Sequence, residues 1–417
     1  MSEKGPTGKI SPTALLISTS PSFSPARLSM ALKKQGFETV AVCPAQHTLR
    51  KTSTVRKVYP YNCWTPFRSV TQAITSAKPI LVIPCDDWAA AILHELYLRE
   101  SRANSEGQVP SLIERSLGAP KAFQFAYDRT ALLELAMQEG LRVPEFRVVR
   151  SREDLNKWGS EAGFPAVLKA NGTSGGDGVR IVRSLDEAER AFRALEAPPL
   201  LAKALKRALI DKDMALLWPS LRRQRYVVNI QSFIEGQDAT SAVACWKGEV
   251  LASLQFRVLN KQDAGGPSTV LRAIESADMS ATAEKITRRL NLSGLYGFDF
   301  VLESATEKGY LIEMNPRATQ VCHLAFGRGH DLPAALYAAT TGEEIAVTPR
   351  VTDKETIALF PQEWLKNPAS SYLSTAYHDV PWEEPEFVLA CLKKRQNKTG
   401  WYSIQKWSQA LSKTQRH

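Results

Sequence analysis

Short apolar blocks separated by polar turns mark the first hundred residues. Ala14-Leu15-Leu16-Ile17 reads as a strand, and Pro25 to Gln35 as a helix with Ala26, Leu28 and Leu32 at helical spacing. Gly36 ends that helix, and Thr39-Val40-Ala41-Val42 is the next strand. Lys78 to Ile83 is a third strand, with a helix from Asp87 onward. Strand–helix–strand units of this length favour a parallel sheet. The first turn, Ser18-Thr19-Ser20-Pro21-Ser22, lacks G-x-G-x-x-G, so a dinucleotide site is not expected there. A turn with an N-cap is the plainer reading, and an anion site the alternative. The polar stretch from 100 to 110 reads as a boundary loop.

The pattern changes from Lys121. Asp128 to Gly140 reads as a helix closed by its glycine, and Phe146-Arg147-Val148-Val149 as a strand. Ser151-Arg152-Glu153-Asp154 and Ser184-Leu185-Asp186-Glu187 both carry the capping-box pattern. Between them lies strand, glycine-rich turn, strand: Pro165 to Asn171, Gly172-Thr173-Ser174-Gly175-Gly176-Asp177-Gly178, then Val179 to Val182. Glycines let backbone N–H groups approach phosphate oxygens, and Lys169 adds a positive charge at the end of the first strand. A flexible hairpin that binds nothing is the competing reading. Tyr226 to Gly236 is a strand ending in a turn.

The most informative segment is a hairpin. Gly297 to Leu302 alternates as a strand, Lys308-Gly309 forms the turn, and Gly309 to Asn315 alternates again. Period two puts Glu313 and Asn315 on one face, and antiparallel pairing lets Asp299 join them. Two carboxylates and an amide oxygen are hard ligands suited to magnesium on nucleotide phosphates. Arg317 follows, placed to meet an oxyanion or phosphate. A surface hairpin with solvated acids is the bland alternative.

Composition narrows the class without naming it. The 417 residues predict two to three domains; 44% apolar and 23% charged is a globular balance. The formal charge of +10 suits anionic ligands. The six cysteines form no C-x-x-C pair, which signals neither a zinc site nor a disulfide framework. The first dozen residues lack a signal-peptide core, and the longest apolar stretch is too short to span a membrane. A cytoplasmic protein is expected, with no nucleic-acid or membrane partner.

The order Arg129, Lys169 with its glycine loop, Gln231 to Ile234, Asp299 and Glu313-Met314-Asn315-Pro316-Arg317 resembles the ATP-grasp superfamily, of the carbamoyl-phosphate-synthetase-like, carboxylate–amine or carboxylate–thiol ligase type, over roughly residues 115 to 345. The resemblance implies an α/β and α+β chain. A Rossmann-like N-terminal domain would cover 1–115, a two-subdomain ATP-grasp fold 116–346 with its lid at about 143–235, and a C-terminal extension 347–417.

It also implies roles. Arg129 and Lys169 would bind phosphates beneath the loop of Gly172, Thr173, Ser174, Gly175, Gly176 and Gly178. Gln231, standing where a glutamate is usual, would accept from the adenine amino group. Phe233 and Ile234 would offer backbone groups to adenine, and Asp238 would face the ribose. Asp299, Glu313 and Asn315 would hold Mg2+, with Mn2+ a substitute, alongside ATP. Lys169 and Arg317 would act in catalysis. Ser268, Arg272, Thr319 and His323 are candidates for the substrate pocket, with a plain loop and a buried structural histidine as alternatives.

Family members typically convert a carboxylate to an acyl phosphate that a nucleophile then attacks. The segment after Arg317, Gln320-Val321-Cys322-His323, lacks the acid that biotin carboxylases place there. The resemblance therefore implies an ADP-forming ligase joining a small carboxylate to an amine; a homodimer is compatible with it. The alternatives are an ATP-grasp kinase or carboxylase-like enzyme, and a nucleotide-binding regulatory protein with little turnover.

Overall fold

The computed structural model describes residues 11–104, 106–171, 178–198, 201, 220, 221, 223, 225–263, 265–343 and 348–396, with side chains in the last helix described through 393. The glycine-loop residues Gly172, Thr173, Ser174, Gly175 and Gly176 lie outside this set.

Three sheets carry the chain. The first is parallel, in the order β3 (Val55–Pro60), β2 (Glu38–Cys43), β1 (Thr13–Ile17), β4 (Leu81–Pro84). Its strands are near-continuous apolar runs because both faces are covered. The strand β3 went unread in the sequence, since Val55-Arg56-Lys57-Val58 is an edge with exposed basic residues. Helices α1 (Ser24–Lys34), α2 (Pro66–Ala77), α3 (Asp87–Ala103) and α4 (Gln108–Leu117) flank the sheet. Helix α3 starts where Asp86 accepts from the Ala89 N–H as N-cap.

The second sheet is antiparallel, in the order β5 (Phe146–Val149), β8 (Val228–Ser232), β6 (Ala166–Ala170), β7 (Val179–Val182). Helices α6 (Arg152–Glu161) and α7 (Leu185–Glu196) cover one face around Trp158, Leu168 and Ile230, and both expected Ser N-caps are formed. Helix α5 (Arg129–Gln138), capped by Asp128, leads into this sheet.

The third sheet has seven strands. Their order is β13 (Gly309–Asn315), β12 (Gly294–Glu303), β9 (Gly236–Trp246), β10 (Glu249–Lys261), β11 (Ser268–Ala273), β14 (Thr356–Ala358) and β15 (Tyr377–His378). One face packs on α8 (Ala277–Leu290) and α5 through Phe298, Phe300, Ile286 and Leu132. The other joins the parallel sheet in a common core with Leu16, Ile83, Leu254, Phe256 and Ile357. Helix α9 (Leu332–Thr341) contributes Leu336 to that core.

This core crosses both expected domain boundaries. Residues after 346 supply the last two strands of the large sheet, and Phe360, Phe387 and Cys391 of the common core. Burying each such apolar side chain contributes about 1.5–3 kcal/mol. The expected C-terminal extension is thus built into the body of the molecule.

The parallel and large sheets are also pinned by backbone contacts. Gly118, at φ +94°, ends α4 against the Asn291 carbonyl, which a Cβ there would meet at 2.3 Å. Ala119 N–H donates to that carbonyl at 3.1 Å, and Tyr296 Oη donates to the Leu117 carbonyl at 2.7 Å. The Ala318 N–H donates to the Pro84 carbonyl at 3.0 Å, tying the segment after β13 to the carboxyl end of β4.

Candidate functional site

The expected hairpin forms between β12 and β13, with Asp299 directly opposite Glu313 and Gly297 opposite Asn315. Glu313 and Asn315 share a face because they are two residues apart, and the register brings Asp299 to it. Asn315 Nδ2 donates to Asp299 Oδ2 at 2.8 Å. Gly297 leaves the room: a Cβ there would sit 2.4 Å from Thr319 Cγ2 and 3.4 Å from Asn315 Cβ. Burial, and then the charge of Glu313, push the Asp299 carboxyl up to about 6.

Two cations meet these acids. Arg129, the first residue of α5, donates from Nη2 to Glu313 Oε1 at 2.8 Å and from Nη1 to the Ala170 carbonyl at 2.7 Å. It therefore joins the end of β6 to the large sheet. Lys169 stands on β6 and is buried. Burial pulls its ammonium down to about 8, against the opposing pull of Glu313, Asp299 and Asp238. Those carboxylates place its side chain on the face of the small sheet turned toward the large one.

Asn229 lies opposite Lys169, and Gln231 opposite Val167, so both amides share the Lys169 face. Both are buried. Gln231 Nε2 donates to Asn229 Oδ1 at 3.0 Å. Phe233 is exposed just past β8, followed by Ile234. Asp238 lies on the same large-sheet face as Asp299, two residues from its partner Thr240, and forms an ion pair with Lys261. Gly178 closes the described end of the loop, its carbonyl accepting from the Ala170 N–H at 2.9 Å.

Arg317 is anchored by a residue that sequence reading missed. Its Nε donates to Asp87 Oδ1 at 2.6 Å, and its Nη2 to Asn315 Oδ1 at 3.1 Å. Asp87 opens α3, just past the carboxyl end of β4. The Asp86-Asp87 pair after an apolar strand was the available signal. Its neighbour Asp86 takes the donors of the Ser18-Thr19 turn: Thr19 N–H at 2.6 Å, Thr19 Oγ1 at 2.8 Å and Ser18 Oγ at 3.0 Å. The anion held by that turn is therefore the protein's own carboxylate.

The four substrate candidates do not converge. Arg272 is exposed and sits opposite Arg257, on the face turned away from Asp299. It is displaced because it directly precedes Ala273, the partner of Phe256, and successive strand residues face opposite sides of the sheet. The His323 side chain is only 7% exposed; its Nε2 meets Asp379 Oδ2 at 2.6 Å, and Asp379 also pairs with Arg27 of α1. Its imidazole is thus committed to the core, and burial lowers its basicity despite Asp379. Ser268 offers its carbonyl to Gln320 Nε2 at 3.0 Å. Thr319 alone borders the hairpin, against Gly297, with its N–H donating to Cys322 Sγ at 3.2 Å.

Among the described residues no group of three His, Cys, Asp or Glu side chains converges as a metal cluster. The candidate set is two carboxylates and an amide oxygen. It fits a hard divalent cation: two acids face each other across a strand pair, one of them raised to about 6 by burial and by its neighbour's charge, and an arginine already supplies positive charge.

Residues 128–326 match the family model described as the carbamoyl-phosphate synthase L chain, ATP binding domain. That segment is similar to the ATP-binding domains of the ATP-grasp superfamily. The carbamoyl phosphate synthase large chain of Rubrobacter xylanophilus is 25% identical over 324 residues, 76% of this chain and 28% of that protein. The arginine-specific large chain of Geobacillus stearothermophilus is 25% identical over 275 residues, 65% of this chain and 23% of that protein. The chain thus spans about a quarter of the length of these relatives. The biotin carboxylase domain of Hydrogenobacter thermophilus 2-oxoglutarate carboxylase, solved with MgADP and bicarbonate, superposes with a TM-score of 0.56 at 15% identity, covering 82% of this chain and 72% of that one. The N5-carboxyaminoimidazole synthase of Aspergillus clavatus, solved with ADP and 5-aminoimidazole ribonucleotide, gives a TM-score of 0.57 at 15% identity, covering 81% of this chain and 78% of that one. These likenesses establish the fold: a parallel α/β unit joined to two sheets that face each other across the site. No helix among the described residues is long and apolar enough to cross a membrane.

Proposed function

We propose that the protein is an ATP-dependent ligase that activates a small carboxylate as an acyl phosphate and joins it to an amine, releasing ADP and phosphate. The observation that carries this reading is the meeting of Asp299, Glu313 and Asn315 on the large sheet with Lys169 and Arg129 across the cleft. The matched family model is that of an ATP-binding domain. Asp299, Glu313 and Asn315 would hold Mg2+, or Mn2+ in its place. Such an ion would supply positive charge against the charge on the transferring group.

The chain's own residues do the rest. Arg129 at the start of α5 and Lys169 on β6 bind the phosphates. Gln231, Phe233 and Ile234 face the base, and Asp238 the ribose once Lys261 is drawn aside. Arg317, held by Asp87, lies beside the metal set and would meet the charge that builds on the phosphoryl group or the acyl phosphate. Residues 172–178 would close over the phosphates and exclude the water that hydrolyses such an intermediate. Thr319 borders the acceptor space, and the protein works on small molecules in the cytoplasm, alone or as a homodimer. The absence of an acid at Gln320 to His323 favours amine ligation over bicarbonate activation.

A screen of carboxylic acids against amines tests this, read as ADP and phosphate release that needs both partners. Release of AMP instead overturns the acyl-phosphate reading. Glu313→Gln is expected to abolish turnover with the fold intact by circular dichroism. Near-normal turnover in that variant refutes the metal assignment.

A further inference from the structure

Four polar side chains form a line from the start of α5 to the base side of the cleft. Asp128 Oδ1 caps α5, accepting from the Thr130 N–H at 3.0 Å and the Ala131 N–H at 3.2 Å. The same oxygen accepts from Asn171 Nδ2 at 3.2 Å. Asn171 Oδ1 accepts from Asn229 Nδ2 at 3.3 Å, and Asn229 Oδ1 from Gln231 Nε2 at 3.0 Å. Every amide in the line donates toward Asp128.

That direction is forced. An ionised carboxylate only accepts, so Asn171 must turn its NH2 to Asp128 and its oxygen to Asn229. Asn229 must then present NH2 to Asn171 and oxygen to Gln231. Gln231 must spend its NH2 on Asn229, and no donor among the described residues meets its Oε1. A lone glutamine can turn its amide either way; this one, though buried, has its Nε2 committed and its Oε1 left to accept, through a carboxylate three hydrogen bonds away.

The orientation matters because purines differ at the same edge. Adenine carries an amino donor at C6, and guanine a carbonyl acceptor. An outward Oε1 accepts from the first and opposes the second, whereas an outward Nε2 does the reverse. Gln231 and Asn229 share the face of Lys169, which points at the proposed metal set, so the Gln231 amide lies on the nucleotide side of the sheet.

We propose that Asp128 positions Gln231 through this one-way amide relay, and that the relay makes the site select adenine over guanine nucleotides. The inference rests on the nucleotide reading above. Asp128, Asn171 and Asn229 are positioning residues, and Gln231 is the specificity-determining group.

The test is calorimetric titration of the full chain, with Mg2+, by the β,γ-methylene analogues of ATP and GTP. Both carry the same triphosphate, so the ratio of the two affinities reports the base alone. The wild type should prefer the adenine analogue. Asn229→Leu frees the Gln231 amide to turn, and should lower that preference about tenfold, the size of one net hydrogen bond. Asp128→Asn keeps the cap but lets the line reverse, and should lower it in the same direction. Asn229→Asp keeps an acceptor for Gln231, and should preserve it. In a Gln231→Glu background Asn229→Leu should have no effect on the ratio, since a carboxylate has no orientation to lose.

Failure to bind either analogue in the wild type overturns the nucleotide reading and this inference together. Equal affinity for both analogues overturns the inference and leaves nucleotide binding standing. An unchanged ratio in Asn229→Leu and Asp128→Asn, or an equal loss in the Gln231→Glu background, overturns the relay alone.

Discussion

Asp379 is the most exacting test of how this chain is held together. Its carboxylate accepts from Arg27 of α1 and meets His323 Nε2 at 2.6 Å; the Arg27 and Asp379 side chains are only 9% and 2% exposed. The three residues come from the parallel unit, the segment six residues past Arg317, and the C-terminal region. Burial pushes the Asp379 carboxyl up, but Arg27 and His323 outweigh it and hold it below its usual range. Asp379→Ala leaves a guanidinium buried without its counter-charge, and breaking a buried pair from one side costs about 3–5 kcal/mol. The Arg27→Met, Asp379→Met double variant removes both charges and should recover most of that loss, since the desolvation cost disappears with them. Urea unfolding followed by circular dichroism reads both. A loss under about 1 kcal/mol in Asp379→Ala, within the range of an exposed ion pair, refutes the reasoning that this pair is an anchor. The depressed carboxyl also fixes a sign: its stabilisation is present above the usual Asp value of 3.8 and is lost as pH falls through the lower folded value.

The pH dependence of kcat/KM should be bell-shaped, because that ratio follows the free protein. It should fall on the acid side through about 6, as Asp299 takes up a proton that a metal must displace, and on the alkaline side through about 8, as Lys169 loses the charge that meets phosphate. A profile that runs flat through and beyond both values counts against both assignments. Gly297→Ala should weaken Mg2+-dependent nucleotide binding about tenfold or more by driving Thr319 Cγ2 and Asn315 apart from the strand, and adding Thr319→Ser, which removes that methyl, should restore much of it. Calorimetry on the single and double variants checks this; equal losses in both point to a general packing fault. Glu363→Ala should destabilise the chain by about 2–4 kcal/mol, because this buried carboxylate accepts from Thr269 Oγ1, Ser370 Oγ and Asn260 Nδ2, and their donors are stranded by its removal. Urea unfolding measures it.

Local pattern was enough to find the hairpin. Glu313 and Asn315 share a face by the pleat alone, and only an antiparallel turn at Lys308-Gly309 was needed to add Asp299. The two serine caps, the first strands and Lys169 at the end of its strand were legible for the same reason, since each is decided within a few residues, whereas Arg129 was named only through the resemblance. What spacing could not say is which distant segments come together. Asp87 lies 230 residues from Arg317, and Asp379 lies 352 from Arg27, so neither pair leaves a periodic trace. Arg272 and Ser268 looked suited to a pocket by composition, but strand pairing turned Arg272 to the other face. The region after 346 looked like an appendage because its strands are three and two residues long, and it belongs to the large sheet because β14 pairs with β11 and β15 with β14. Glu313, Asn315 and Asp299 owe their meeting to covalent spacing and a turn. The cations that face them, the amides that aim Gln231 and the carboxylate that holds Arg317 were decided by tertiary packing, because only the folded core brings those separate elements within hydrogen-bond reach.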